Sequence, residues 1–148
     1  MIRERPIDKQ NEREAGLKLE KFWNVQVFEN NKFYRCDWQL MRNGKHLAFA
    51  EYKHCPRSIK EKGEHYTIDL AKYMHGLDLI NVSCNPWFLV VEFEEGLFYF
   101  KQDHPVHPIY EISRFVRKDE NGKYSKKPAV RFPIKEFEKI SENKTPPI

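Results

Sequence analysis

At 148 residues and a net charge of +4, the chain has the size of one domain that buries a core without metal or disulfide staples. Aromatic residues at 14% against 32% charged residues exclude a disordered chain, and the longest apolar run, "WFLVV", is far too short to span a bilayer. Three cysteines without a CxxC pair and a charged N-terminus without an apolar signal core predict reduced thiols in a soluble, intracellular, cytoplasmic protein.

In chain order, Asp8 is placed to cap a helix reaching Trp23. Val25 to Glu29 reads as a strand, "NNK" as a turn, and Phe33 to Met41 as a second strand. Asn43-Gly44 is a tight-hairpin signal, and "HLAFAEYKH" follows as a third strand. "CPRSIKEKGEH" is a basic loop. Thr67 is placed to cap a helix from Ile68 to Asn81 with Leu70, Met74 and Leu77 on one stripe. "WFLVVEF" and "LFYFK" are strands around "EEG". A further hairpin, "IYEISRFVRK" with "KPAVRFPI", turns at Asn121-Gly122, before a short helix "IKEFEKI". The expected division is one domain over residues 1–140 (core 8–101, extension 102–140) and a polar tail over 141–148.

Charge is unevenly spread. Arg42 to Lys62 holds six Lys or Arg against two Glu, Arg114 to Lys135 holds eight against two acids, and Trp87 to Glu111 holds five acids against Lys101. A basic face with an acidic back fits a polyanionic partner, and a solvated surface of mixed charge is the plain alternative.

The strand-like runs contain three charges that need a reason: Asp37, Glu51 and Lys53. Strand alternation puts Glu51 and Lys53 on one face and Tyr52 on the other. The run with Asp37 is joined to the next by the tight turn, and a bend or offset register would bring its carboxylate beside that of Glu51. Two converging carboxylates repel unless a cation lies between them, and hard oxygen donors with open positions suit Mg²⁺ or Mn²⁺. Lys53 can neutralise charge and hold an attacking water. Glu12 begins a helical stripe continued by Ala15, Gly16, Leu19, Phe22 and Trp23, so it faces the sheet. Glu14 faces elsewhere, and Glu20 is a second choice.

Glu12, Asp37 and Glu51-Tyr52-Lys53 together resemble the PD-(D/E)XK nuclease superfamily, whose pattern is a helical Glu, a strand Asp and a following (D/E)-x-K. "NEREAGLKLEKFWNVQVF" is also similar to the opening of archaeal Holliday-junction resolvases. Cys36 stands where the motif name has Pro. The resemblance implies an α/β, restriction-endonuclease-like α-β-β-β-α-β core, a central mixed sheet flanked by helices, extended here by the C-terminal β-hairpin. It implies a Mg²⁺-dependent deoxyribonuclease leaving a 5′-phosphate and a 3′-hydroxyl. Asp37, Glu51 and the main-chain carbonyl of Tyr52 would bind the metal, with Glu12 holding a metal-bound water or a second ion. Lys53 would position the attacking water.

Arg57, Lys60 and Lys62 are expected on DNA phosphates, and Lys72 is a candidate for the scissile phosphate or a solvated lysine. A homodimer follows only by analogy with junction resolvases. Three other readings stay open, namely a structural ion-pair cluster, a nucleic-acid-binding module of the same fold without turnover, and a protein-binding scaffold. His104 and His107 have a zinc-like spacing but no Cys pair nearby, so loop histidines are expected.

Overall fold

Proline suits the first turn of a helix because its missing N–H has no partner there, and the first helix, α1, runs Pro6–Trp23 in the computed structural model. Residues 6–31, 34–105, 111–118 and 120–148 are described. Asp8 therefore lies inside the first turn, where a carboxylate suits the helix dipole, rather than at the expected cap. The expected stripe is the buried one: Glu12, Ala15, Gly16, Leu19 and Trp23.

The strands β1 (Gln26–Glu29), β2 (Trp38–Arg42) and β3 (Lys45–His54) follow. Asn43 and Gly44, with φ of 52° and 75°, close the β2–β3 hairpin between the paired Arg42 and Lys45. These left-handed values are what a two-residue turn of this type requires, and Asn and Gly adopt them most easily. A 3₁₀ turn, Ile59–Lys62, leads to β4 (His65–Asp69) and the helix α2 (Leu70–Ser83). The strands β5 (Trp87–Phe93), β6 (Gly96–Gln102), β7 (Glu111–Lys118), β8 (Tyr124–Pro133) and β9 (Glu138–Lys139) complete the order.

A six-stranded sheet has the order β1-β2-β3-β5-β6-β9, and a three-stranded sheet the order β4-β8-β7. β3 and β5 are parallel neighbours, which requires a crossover connection, and α2 lies within it. Of the two apolar clusters, one joins Tyr73, Leu77 and Ile80 of α2 to Phe49, Leu89 and Val91. The other joins Ala15, Leu19 and Trp23 of α1 to Trp38, Ala50, Phe88 and Val90. From Ala48 onward in β3, and throughout β5, odd-numbered residues thus face α2 and even-numbered ones face α1. Each fully buried aliphatic or Phe side chain is worth about 1.5–3 kcal/mol, so the two-sided burial of Ala48 to Tyr52 holds β3 firmly. The molecule is α/β with a mixed central sheet, and among the described residues no helix is long and apolar enough to cross a membrane.

Four local expectations are corrected. Asp37 lies in a bend just before β2, not within it. Residues 65–69 are strand, because Thr67 and Ile68 pair with Arg131 and Val130 of β8, and α2 is capped by Asp69 accepting from the Ala71 N–H at 2.9 Å, not by Thr67. Met74 is exposed; the buried face of α2 is Tyr73, Gly76, Leu77 and Ile80. "IKEFEKI" is a 3₁₀ turn and the short strand β9, since Glu138 and Lys139 pair with Tyr99 and Phe98 and the chain cannot also coil there. Phe33, His107, Ile109 and Tyr110 lie outside the described residues.

Candidate active site

The hairpin register decides where Asp37 points. Near the turn, Met41 pairs with His46, but farther along Leu40 pairs with Ala48 and Trp38 with Ala50, so β3 carries an extra residue between them. Directly opposed residues share a face. Carrying the shifted register one step further sets Asp37 opposite Glu51, on the α2 side; without the bulge it would oppose Ala50, on the α1 side. A β-bulge that re-aims a side chain is the expected device near a site.

The ladder ends at Trp38–Ala50, so the next main-chain groups of β3 on that edge lack a strand partner. The Tyr52 N–H donates instead to Asp37 Oδ2 at 2.8 Å. In a strand the carbonyl of a residue points to the same edge as its N–H, so the Tyr52 carbonyl opens onto the gap occupied by Asp37. The Asp37 main chain is tied from the other side, its carbonyl accepting from the Asn30 N–H at 2.8 Å. The Asn30 side chain donates to the Cys36 carbonyl at 3.1 Å.

Glu51 lies beneath this gap with only 3% of its side chain exposed. Its Oε1 is 3.6 Å from Lys53 Nζ and 3.5 Å from Lys72 Nζ. Burial, then the Asp37 charge, raise its pKa to about 7 despite the two lysines. Glu51 and Asp37 are thus a like-charge pair that Lys53 and Lys72 offset only in part. Lys53 and Lys72 also line a cleft of about 440 Å³ whose other wall is Tyr66, Thr67, Ile68 and Asp69. Cys36, at the motif's Pro position, is buried, and burial followed by the Glu51 and Asp37 charges pushes its thiol up to about 12, which keeps it unreactive.

Glu12 is buried as expected, but on the α1 face, across the sheet from Glu51; its carboxylate pairs with Lys9 at 3.5 Å. Among the described residues, no group of three or more His, Cys, Asp or Glu side chains is arranged to hold a metal ion. The donors brought together are two carboxylates and one carbonyl, with Glu12 apart. That set fits a hard divalent cation that keeps several waters.

Residues 3–140 match the model of a family described as "Phage putative PDDEXK endonuclease". The chain belongs to the PD-(D/E)XK endonucleases. No curated protein matches the sequence.

In this PD-(D/E)XK chain the basic segment is anchored to the turn after β5. The Glu95 carboxylate accepts from the Ser58 hydroxyl at 2.9 Å and the Ile59 N–H at 3.0 Å, and the Arg57 carbonyl accepts from the Glu94 N–H at 3.0 Å. Arg57 and Lys60 are exposed, and Lys62 lies over the Tyr66 ring at 5.4 Å, beside the cleft. His104 is exposed.

One polar set escaped the sequence reading. The Tyr52 hydroxyl donates to Glu92 Oε1 at 2.6 Å, and Lys18 Nζ reaches Glu92 Oε2 at 3.4 Å. Burial, then the Glu92 carboxylate, push the Tyr52 phenol well above its usual range, so it stays protonated and holds the residue whose main chain borders the site. A signal was present: Glu92 interrupts the apolar run "WFLVVEF" as Glu51 interrupts "FAEY".

Proposed function

We propose that the chain is a metal-dependent deoxyribonuclease that hydrolyses phosphodiester bonds at the gap between Asp37 and Glu51. The observation that carries this is the pairing of a bulge-aimed Asp37 with a buried Glu51 beside Lys53, in a chain of the endonuclease family. Asp37, Glu51 and the Tyr52 carbonyl would hold Mg²⁺, or Mn²⁺ in its place. Such a cation, when bound, withdraws charge from the phosphate and lowers the pKa of water.

The remaining work belongs to side chains. Lys53, at the cleft edge, orients the attacking water and supports negative charge that develops on the phosphate oxygens. Lys72, which shares the Glu51 carboxylate with Lys53, neutralises the approaching phosphate, and Arg57, Lys60 and Lys62 hold neighbouring phosphates without reading bases. Glu12, on the opposite face of the sheet and paired with Lys9, stands outside this set. Cleavage would leave a 5′-phosphate and a 3′-hydroxyl, and pairing of two copies would give each strand of a duplex its own site.

The lysine contacts of Glu51 are also what a structural ion-pair cluster has, and Lys53→Met separates the two. It keeps the stem and removes the charge. For a nuclease, Mn²⁺ affinity and melting temperature hold while turnover on DNA falls roughly 10²- to 10⁴-fold. A variant that melts lower yet cuts normally per folded molecule would refute the assignment.

A further inference from the structure

The β7–β8 hairpin is more than a cover for the second sheet. Side chains of a strand alternate between faces, yet every residue of β8 from Tyr124 to Pro128 is exposed. Arg114, Val116 and Lys118, opposite Pro128, Lys126 and Tyr124, are exposed as well. These paired segments therefore form a two-stranded ribbon standing clear of the body, whereas Ala129, Val130 and Phe132 of the same strand are buried. Val116 and Tyr124 are 57% and 66% exposed, with Lys118 Nζ 5.8 Å from the Tyr124 ring centroid. From Arg114 to Lys127 the chain has six Lys or Arg and two acids, Asp119 and Glu120.

The ribbon is continuous with the candidate active site. The buried half of β8 pairs along β4, Asp69 with Ala129 and Thr67 with Arg131, and β4 walls the cleft that holds Lys53 and Lys72. Beyond the Asp69–Ala129 pair, five residues of β8 project roughly 17 Å at about 3.4 Å per residue. That is about five base pairs of duplex at 3.4 Å per step.

We infer that this basic ribbon lies in a groove of double-stranded DNA, about half a helical turn from the phosphate held in the cleft. The inference rests on the nuclease reading for its substrate class and adds the form of DNA and the surface that grips it. The charge calls for a polyanion, and two observations favour a duplex among polyanions: the ribbon shape and the strand pairing that joins the ribbon to the cleft. A major groove about 12 Å wide admits a two-stranded β-ribbon, whereas a single strand offers no groove. Exposed Val116 and Tyr124 would lie against sugars and base edges, and the lysines against phosphates.

The test is the salt dependence of binding, in EDTA so that no strand is cut, for Lys118→Ala/Lys126→Ala/Lys127→Ala and for the matching triple Arg variant. On a 20–30 base-pair duplex the slope of log K against log salt should fall by about three, and affinity at 0.1 M salt roughly 10²-fold. The Arg variant should keep both, and affinity for a single strand should change far less. An unchanged duplex slope, an equal loss on single strands, or a loss in the Arg variant too would overturn the proposal. A wild-type protein that ignores duplex DNA would also overturn it. Ribbon-dependent duplex binding without cleavage under any metal would remove the nuclease reading and leave the ribbon standing. Cleavage with an unaltered slope would do the reverse.

Discussion

Replacing Glu51 by Gln should stabilise the metal-free protein above neutral pH, against the usual consequence of breaking an ion pair. Glu51 is buried, and burial plus the Asp37 charge outweigh Lys53 and Lys72, raising its pKa from 4.5 to about 7. A carboxyl raised in the fold contributes stability fully below its unfolded pKa and loses it as pH rises through the folded one. At about 1.4 kcal/mol per pH unit, that contribution of about 3 kcal/mol is lost between pH 4.5 and just above 7. Gln carries no charge at any pH, so the loss vanishes. The attraction of Lys53 and Lys72 is already contained in that net shift, and because they are 35% and 40% exposed, water can reclaim them in the variant. The net gain at pH 8 is about 3 kcal/mol, or roughly 6–12 °C in melting temperature for a domain of this size. Thermal unfolding from pH 5 to 8 in EDTA reads this as a widening difference between Glu51→Gln and wild type. Adding Mn²⁺ should raise the wild-type melting temperature and leave the variant unmoved. If Glu51→Gln melts below wild type at pH 8 in EDTA, the carboxylate is a net-favourable structural partner, and the reasoning from a partly offset charge pair fails.

Asp37→Asn keeps an oxygen that can accept from the Tyr52 N–H, so the strand end should stay intact while calorimetry shows most Mn²⁺ affinity gone; unchanged affinity would remove Asp37 from the site. Converting Arg57, Lys60 and Lys62 together to Ala should lower the salt slope of DNA binding by up to about three, and an unaltered slope would put the phosphates elsewhere. Gly76→Ala should destabilise by about 1–3 kcal/mol, because an added Cβ would sit 2.7 Å from atoms of the buried Trp87 ring. A melting temperature equal to wild type would mean that α2 is free to shift on the sheet.

Much of this was written into local patterns. The Asn43-Gly44 turn, the apolar runs of β3 and β5 and the inward stripe of α1 follow from turn chemistry and periodicity, which act over a few residues. Charges inside apolar strands marked Asp37, Glu51 and Lys53 as a group, since such burial is costly unless it serves something. Other features depend on partners distant in the chain. Residues 65–69 became a strand because β8, some sixty residues later, offers its edge, and "IKEFEKI" lost its helix to pairing with β6. The convergence of Asp37 with Glu51 turns on one extra residue in β3, and a period-two pattern has no memory of where a register slips. Glu12 shows the same limit, for its stripe established that it faces the sheet. Only the crossover through α2, which leaves α1 on the opposite face, decided that this is the side of Tyr52 and not of Glu51.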